Sequence, residues 1–386
     1  MDKVLIIHNR YRSKGGEDIA VQDEVEFLKN FFEVKAIYFN NKLDSKFSTY
    51  STFLFNYNSK SIKTVKKSLD DFKPNVVYFH NTWFKASPRL ISSISRKGYK
   101  VIVKIHNYRI YCADSFLINK HIRKNKYDFC PACFIHKKNK FSFFNKVFEN
   151  SYLKSFFVII YAKTMKKILM NENIQIVVLN DFHKNKFSDL LENKKELEIL
   201  KNIKDLDCKT FKNKKKEKYI LYAGRISKEK GVEDLILAFL DANLEDLKLK
   251  IVGDGPLLNN LKKLYRYKNI EYIGKADNDE TLDYIYNSQG VVTATKMYEG
   301  QPTLLSEASL LGVPSIFPDF GGMGEYFPDD YELKYSQYNY EDLKNKINLI
   351  NNDDFRKKTS EYIKSFYFSE YLKNNYYETF KSISKL

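Results

Sequence analysis

Residues 219–236 have the sequence YILYAGRISKEKGVEDLI, which predicts the fold of the second half of the chain. The apolar run from Tyr219 to Ala223 indicates a buried strand, and the residues that follow have the apolar spacing of an amphipathic helix. Gly224 provides a turn between them, and Arg225 and Lys230 place two cations at the carboxyl end of the strand. Sheets of parallel strands bind ligands at this end, and two cations suit a diphosphate.

A second informative stretch is 298–312, where Glu299 and Glu307 have seven residues between them. Pro302 suits the first turn of a helix, so Glu299 lies in the loop before it and Glu307 about one and a half turns inside. Helical side chains lean towards the N-terminus, which directs Glu307 towards Glu299. The helix start favours phosphate and the carboxylates accept hydrogen bonds from hydroxyls, a combination that describes a nucleotide sugar. The alternative is a surface acid and a polar helix residue.

Both halves of the chain alternate apolar runs with helical patterns, which is typical of parallel sheets covered by helices. The predicted strands are 3–8, 34–39, 75–79, 100–105, 175–179 and 196–200 in the first half, and 219–223, 248–252, 270–273, 291–294 and 315–317 in the second. The predicted helices of the first half are 17–31, 61–72, 88–97, 151–170 and 181–190, and the tail from residue 342 is mostly helical.

A chain of 386 residues is long enough for two domains, each with its own core. We predict a first domain at 1–204 and a second at 219–367. The lysine-rich residues 205–218 between them indicate a solvated linker. Residues 111–150 fit neither the helical nor the strand period, and we expect an irregular insertion there.

The net charge of +17 is unevenly distributed. Residues 1–218 contain 44 Lys and Arg against 22 Asp and Glu, a net of +22, whereas residues 219–386 contain 21 against 26, a net of −5. Basic residues are densest in 120–170, among many Phe residues. This mixture suits the surface of an anionic membrane, although compositional bias is an alternative. Nine Arg residues without a recognition motif disfavour nucleic acid.

Together these residues resemble the donor site of the retaining glycosyltransferases of family 4. Members of that family have an α/β structure called GT-B, in which two Rossmann-like parallel-sheet domains face each other across a cleft. The resemblance continues through residues 15–18, 76–81, 103–108, 252–256, 272–274, 312–316 and 321–325, so it covers nearly the whole chain. It also implies that the last helix, within 368–386, crosses back to the first domain.

The resemblance assigns roles to these residues. Arg225 and Lys230 stabilise the charge of the departing diphosphate, which is the main requirement of the reaction. Glu299 contacts the transferred sugar and Glu307 the ribose hydroxyls. The remaining donor contacts are implied for Gly15, Gly16, Gly224, Gly300, Gln301, Pro302 and Thr303, with Gly16 approaching the diphosphate from the first domain.

Two histidines follow predicted strands of the first half. His106 resembles the histidine that lies beside the reacting sugar in related transferases, and the alternative is a structural imidazole. His80 is at an equivalent strand end, and with Trp83 it is a candidate for the acceptor site.

The cysteines offer a possible structural zinc site. Cys130 and Cys133 have ligand spacing, and Cys112 and His136 could complete the set. Similar transferases have a further cysteine where this chain has Ser151, which weakens the case, and reduced, packed thiols are the alternative. The family is regarded as metal-independent, so no cofactor is expected for the reaction.

The sequence therefore predicts a bacterial enzyme that moves a hexose-type sugar from a nucleoside-diphosphate sugar, a UDP-sugar, to a glycan acceptor with retention. The basic first half suggests a lipid-linked acceptor, as in capsule or O-antigen-like polysaccharide synthesis. With no apolar run of membrane-spanning length and no signal peptide, we expect a cytoplasmic protein, peripheral at the inner membrane face. The alternatives are a sugar-nucleotide epimerase or hydrolase of the same fold and a non-enzymatic membrane-associated scaffold. A glycoside hydrolase would not need Arg225 and Lys230.

Overall fold

A computed structural model describes residues 1–11, 15–41, 52–112, 148, 151–204, 206, 211, 218–366 and 369–386, with the backbone alone for 369–372. The predicted insertion at 111–150 and the predicted linker at 205–218 lie almost entirely outside these residues. The described chain divides into two compact units. Unit 1 contains Met1–Ile203 and Lys373–Leu386, and unit 2 contains Lys204–Leu372.

Unit 1 is built on a six-stranded parallel sheet with the order β2-β1-β3-β4-β5-β6. Its strands are β1 Lys3–Arg10, β2 Glu33–Asn40, β3 Val76–Phe79, β4 Lys100–Lys104, β5 Ile174–Val178 and β6 Leu197–Ile199. Each coincides with a strand predicted from the sequence. Residues 4–8 of β1 and all of β3 are buried, because helices cover both faces of a parallel sheet.

The helices of unit 1 connect these strands. They are α1 Gly16–Leu28, α2 Ser59–Phe72, α3 Pro88–Ser95, α4 Tyr152–Leu169 and α5 Asp181–Leu190. The prediction for α1 was wrong at its end, where it placed three more residues in the helix. The N–H groups of Asn30 and Phe31 instead bond the carbonyls three residues earlier, a tighter turn that ends the helix.

Unit 2 repeats the architecture with a second six-stranded parallel sheet, of order β12-β11-β10-β7-β8-β9. Its strands are β7 Tyr219–Ala223, β8 Lys248–Val252, β9 Ile270–Gly274, β10 Gly290–Val292, β11 Ser315–Pro318 and β12 Lys334–Tyr335. The sequence predicted the first five. A strand of two residues is too short to show a period, so β12 was missed. The helices are α6 Val232–Ala242, α7 Leu258–Leu264, α8 Asn278–Tyr286, α9 Thr303–Leu310, α10 Tyr340–Ile350 and α11 Asp353–Phe366.

The last helix, α12 Ser369–Ser384, contributes residues 373–386 to unit 1. Tyr376, Phe380 and Ile383 are buried in the same cluster as Val4 of β1 and Val25 of α1. Aromatic side chains of α1 and α12 meet directly, and the ring centroids of Phe27 and Tyr376 are 5.3 Å apart. The C-terminal residues therefore complete the core of unit 1.

Among the described helices, none is both long enough and apolar enough to cross a bilayer.

Candidate functional site

The loop after β7 carries Arg225 and Lys230 in unit 2. The hydroxyl of Tyr222 donates a hydrogen bond to the carbonyl of Arg225 at 2.8 Å, which fixes the start of the loop. Gly231 ends the loop with a φ of +65°, and a Cβ there would lie 1.9 Å from the carbonyl oxygen of Ala294. Only glycine accommodates both the conformation and this approach. The loop is therefore packed against the chain that follows β10.

The carboxyl ends of β7, β8 and β9 also lie close to one another. Gly253 follows β8 with a φ of +136°, and a Cβ there would lie 1.9 Å from the carbonyl oxygen of Gly224. The N–H of Gly224 bonds the carbonyl of Val252 at 3.0 Å, and the N–H of Gly253 bonds that of Gly274 at 2.7 Å. The carboxyl ends of β7, β8 and β9 thus form one compact edge, where parallel sheets place their ligands.

Lys230 and Glu299 meet at this edge, although 69 residues separate them in the chain. The ammonium of Lys230 donates to Oε1 of Glu299 at 2.5 Å, with side-chain exposures of 27% and 17%. Thr295 donates to the same carboxylate oxygen at 3.3 Å. The structure thereby brings together a residue assigned to the diphosphate and one assigned to the sugar, and both remain accessible to a ligand.

Arg225 lies on the same loop, and its side chain is 59% exposed. Its guanidinium is 3.8 Å from the carboxylate of Glu229, which also accepts a hydrogen bond from Ser227 at 2.6 Å. The backbone carbonyl of Glu229 accepts from the N–H of Lys296 at 2.8 Å. Glu229 thus links the loop to the chain after β10, while the guanidinium stays in solvent.

Helix α9 begins at Thr303, directly after Pro302, and Gly300 and Gln301 lie in the loop before it. Pro302 at the N-cap position makes no side-chain hydrogen bond to this helix start, and the N-terminus of a helix favours an anion. Glu307 is buried in α9 and its carboxylate is 3.1 Å from the ammonium of Lys204. Lys204 therefore compensates the buried charge of Glu307, a partner that the sequence did not predict.

In unit 1, Gly15 is the residue before α1 and Gly16 is its first residue. The carboxylate of Asp18 accepts from the N–H of Gly15 at 2.9 Å and contacts Nε2 of the buried His8 at 2.8 Å. Among the described residues, nothing lies within 4 Å of a Cβ added at Gly15, and its φ is −121°. The fold of unit 1 alone does not require a glycine at this position.

A buried polar cluster lies beneath this helix. Glu24 of α1 is fully buried and contacts the ammonium of Lys104 in β4 at 3.1 Å through both carboxylate oxygens. Tyr78 donates to Glu24 at 2.7 Å, and Tyr376 of α12 donates to the same oxygen. Burial lowers the pKa of Lys104, and the Glu24 carboxylate opposes that shift. We call Glu24, Tyr78, Lys104 and Tyr376 the buried polar cluster.

His80 and His106 lie beside this cluster. Nδ1 of His80 and Nε2 of His106 are 2.8 Å apart, and Nδ1 of His80 is 4.0 Å from the Glu24 carboxylate. Burial, and then the charges of neighbouring histidines and Lys104, lower the pKa of His80 well below its usual value. Burial, and then Lys104 and other histidines, do the same for the pKa of His106. Both rings line a pocket with Glu17, Asn81, Arg109 and Tyr161.

Trp83, the second residue assigned to the acceptor, packs among aromatic side chains. Its ring centroid is 4.8 Å from that of Tyr161 and 5.2 Å from that of Phe53, and Arg109 lies over its ring at 5.0 Å. Trp83 thus packs against Tyr161 and Arg109, which line the pocket of His80 and His106.

The proposed zinc site is mostly outside the described residues. Cys130, Cys133 and His136 belong to the segment that the structure does not describe, and Cys112 is buried. The zinc hypothesis stays a prediction.

Residues 203–366 match the family model described as "Glycosyl transferases group 1". The matched residues include nearly all of unit 2. The chain is 29% identical over 240 residues to an uncharacterized glycosyltransferase, MJ1069, of Methanocaldococcus jannaschii, covering 59% of this chain and 58% of the relative. It is 31% identical to the amylovoran biosynthesis glycosyltransferase AmsD of Erwinia amylovora over 30% of this chain and 34% of the relative. One of these two relatives acts in polysaccharide biosynthesis, and the chain spans less than two thirds of the length of each.

Among solved structures, Anabaena HepE (Alr3699) in complex with UDP-glucose has the same fold, with a TM-score of 0.65, 11% identity and full coverage of both chains. Such low identity shows the fold alone. With the two parallel sheets, it confirms the predicted α/β class of two Rossmann-like domains, of the GT-B type. Arg225, Lys230, Glu299 and Glu307 all lie within the residues that match the family model.

Sequence reasoning missed the buried polar cluster of unit 1. A signal was present, because Glu24 is on the apolar face of α1 with Val21, Val25 and Leu28. Lys104, the last residue of β4, similarly interrupts the apolar run from Val101 to Ile105. A carboxylate and an ammonium that both face a core require partners, which should have indicated a buried pair.

Proposed function

We propose that this protein transfers a hexose-type sugar from a nucleoside-diphosphate sugar, a UDP-sugar, to a glycan acceptor with retention of configuration. The observation that carries the proposal is the contact of Lys230 with Glu299, beside the exposed Arg225, at the carboxyl edge of a parallel sheet. Cations and a carboxylate together suit a ligand that joins a diphosphate to hydroxyl groups. The match of residues 203–366 to the family model of glycosyl transferases group 1 supports the same class of reaction.

The diphosphate, in this proposal, binds Arg225 and Lys230 and lies beside residues 300–303 at the start of α9, because the N-terminus of a helix favours an anion. Binding draws the Lys230 ammonium away from Glu299, which then accepts hydrogen bonds from the sugar. Glu307 accepts from the ribose, and Lys204 compensates its charge. As the glycosidic bond breaks, negative charge grows on the leaving diphosphate, and the two cations stabilise it most in the transition state. Because these side chains supply the positive charge, we propose no cofactor for the reaction.

We further propose that the acceptor is lipid-linked and that the protein is peripheral at the cytoplasmic face of a membrane. The net charge of +22 in residues 1–218 supports attraction to anionic lipid. Apolar side chains are also exposed in unit 1: Leu54 at 46%, Phe55 at 56%, Tyr57 at 47%, Tyr152 at 54% and Leu153 at 53%. Relatives in polysaccharide biosynthesis, such as AmsD, fit surface-polysaccharide assembly.

The donor assignment is tested with Arg225→Ala. We expect transfer from a UDP-sugar to fall by about 10²–10³-fold, because one of the charges that stabilise the leaving diphosphate is lost. Lys228→Ala is the matched control, since Lys228 is an exposed cation on the same loop without an assigned role. Equal activities of the two variants would remove Arg225 from the mechanism. Release of free sugar that is independent of acceptor would indicate a hydrolase instead.

The membrane assignment is tested by sedimentation with vesicles. We expect binding to vesicles that contain phosphatidylglycerol, little binding to neutral phosphatidylcholine vesicles, and release when the ionic strength rises from about 0.05 to 0.5 M. Binding that ignores both lipid charge and salt would contradict an electrostatic contact.

A further inference from the structure

The side chains of His80 and His106 share a hydrogen bond, and one of the two rings must supply its proton. Nδ1 of His80 and Nε2 of His106 are 2.8 Å apart, and the rings are tilted by 31°. A neutral imidazole carries its proton on one nitrogen and accepts on the other. One ring must donate and the other must accept, and the choice decides which nitrogen of each ring carries the proton.

Both rings are neutral near pH 7. Burial is the main reason that their pKa values are far below the usual value, and Lys104 of β4 and His8 of β1 lower them further. His183 of α5 adds to the effect on His106. The Glu24 carboxylate of α1 also faces His80, but its charge is already paired with Lys104. Two arrangements of the neutral pair remain.

In the first arrangement His80 donates from Nδ1, and in the second it accepts there and carries its proton on Nε2. Nε2 of His80 is buried, and among the described residues it has no hydrogen-bond partner. A proton on Nε2 would therefore bury an unsatisfied N–H group, at a cost of about 1–3 kcal/mol. Nδ1 of His80 is also 4.0 Å from the Glu24 carboxylate, which favours a proton on that nitrogen. Both observations select the first arrangement.

We propose that His80 is a positioning residue that donates from Nδ1 to Nε2 of His106 and thereby fixes His106 with its proton on Nδ1. In this form His106 is a hydrogen-bond donor for an oxygen atom of a ligand in its pocket, and it does not act as a base. The identity of that ligand, a sugar with its hydroxyl groups, rests on the proposed function. The tautomer itself rests only on the geometry of unit 1.

A metal ion is the competing interpretation of the same residues. Glu24, His80 and His106 each offer a ligand atom, and these atoms lie within 4.8 Å of one another. An ion would require lone pairs on both facing nitrogens, which would break their hydrogen bond. It would also lie near the Lys104 ammonium, which already contacts both oxygens of Glu24 at 3.1 Å. Charge repulsion and the occupied carboxylate both favour the hydrogen-bonded pair.

The test is a two-bond ¹H–¹⁵N correlation spectrum of the full chain with ¹⁵N-labelled histidine, recorded from pH 5 to 8. His106→Gln assigns the His106 signals. We expect the His106 ring to be neutral over this range, with protonated Nδ1 and unprotonated Nε2, and we expect Zn²⁺ to leave these signals unchanged. A proton on Nε2 of His106, titration near pH 6.5, or displacement of the signals by Zn²⁺ would overturn the proposal.

Two variants separate positioning from a merely structural role. His80→Phe retains a ring but cannot donate, so we expect the proton of His106 to redistribute to Nε2 and kcat/KM for transfer to fall about tenfold. His80→Gln retains an amide N–H donor, and we expect it to keep the Nδ1–H tautomer and most of the activity. An unchanged His106 tautomer in His80→Phe would contradict the proposal. If that variant does not fold, the wild-type and His80→Gln spectra still decide the question.

The spectra require no substrate, so they test the tautomer of His106 independently of the proposed function. A protein with the expected tautomer and no transfer would leave this inference standing and reject the transferase. Transfer by a protein whose His106 is protonated on Nε2 would support the transferase and reject this inference.

Discussion

Lys230 and Glu299 compensate each other's charge, because their ion pair is only 2.5 Å long. Partly exposed pairs of this kind contribute about 0.2–1 kcal/mol. In the proposed function, a nucleoside diphosphate has to replace Glu299 as the partner of Lys230. A donor with its sugar recovers this cost by giving Glu299 hydroxyl groups to bind, whereas the nucleotide product does not.

This competition leads to a prediction for Glu299→Gln. The amide leaves Lys230 free, so we expect UDP to bind about two- to fivefold more tightly, while transfer falls roughly tenfold or more. Isothermal titration calorimetry measures the first effect and initial rates the second. Glu332→Gln, an exposed acid elsewhere in unit 2, is the control for net charge. Unchanged or weaker UDP binding in Glu299→Gln would show that the pair does not oppose the diphosphate.

The sequence predicted both members of this pair but not their contact. Gly-rich turns and the helix start place Lys230 and Glu299 at strand and helix ends, and parallel strands gather such ends at one edge. Glu307 differs, because its partner Lys204 comes from the very beginning of unit 2. No local pattern links a lysine there to the middle of α9.

At the scale of elements, the loop between β7 and α6 depends on its contact with the chain after β10. Gly231 makes this contact with a positive φ, and a Cβ would lie 1.9 Å from the carbonyl of Ala294. The residues that follow Ala294 include Thr295, which donates a hydrogen bond to Glu299 of the proposed donor site. The shape of that site therefore depends on one glycine that binds no ligand.

We accordingly predict that Gly231→Ala lowers the free energy of unfolding by at least about 1 kcal/mol, because the loop must move to accommodate the Cβ. We expect the same displacement to weaken the binding of a UDP-sugar. Urea unfolding and calorimetry measure the two effects. Gly15→Ala is the control for stability, since its φ of −121° is open to any residue. A stable Gly231→Ala protein would mean that the loop tolerates the displacement.

Helix α12 is attached to unit 1 through an aromatic face and one polar contact. Tyr376 packs against Phe27 and donates to the buried Glu24. Burial and the nearby Glu24 charge raise the pKa of Tyr376 well above its usual value, so the hydroxyl remains a donor. The contact also helps to orient Glu24 beneath His80.

We therefore expect Tyr376→Phe to lower the free energy of unfolding by about 1–3 kcal/mol, because it removes a hydrogen bond to a buried charge. The neighbouring Tyr377→Phe keeps its ring contact with Phe31, at 4.4 Å between centroids, and should change stability by less than about 0.5 kcal/mol. Urea unfolding compares them. Equal losses would indicate that ring packing, not the hydroxyl, holds the helix.

At the scale of the whole molecule, buried neutral histidines couple folding to pH. Burial lowers the pKa of His183 to about 3, and those of His80 and His106 are also far below the unfolded value. Below about pH 6.5 the unfolded chain takes up protons that the folded chain does not. Folding stability is thus complete above this pH and decreases as the pH falls.

The expected contribution of one such histidine is up to about 1.4 kcal/mol per pH unit below pH 6.5. For His183→Gln we predict a shallower loss of unfolding free energy between pH 6.5 and 5 than for the wild type, with a difference near that slope. Urea unfolding at several pH values measures it. Parallel profiles for the two proteins would mean that His183 protonates in the folded state.

The sequence by itself determined the α/β class, eleven of the twelve described strands and the loops that carry Arg225, Lys230, Glu299 and Glu307. It could do so because apolar runs and helical spacing are patterns of residues that are close together in the sequence. Glycines and charged residues directly after an apolar run also mark the ends of strands. Strand β12 has only two residues, which is too short for the two-residue alternation of a strand to be recognised in the sequence.

Only the tertiary structure decided which buried groups are partners. Glu24 meets Lys104 from 80 residues away and Tyr376 from 352 residues away, and His80 bonds His106 across two parallel strands. Local spacing shows that a polar side chain faces the core, but the partner that compensates it comes from another strand or helix. The distance across a folded core is independent of the distance along the chain, and the protonation of the histidine pair depends on that geometry alone.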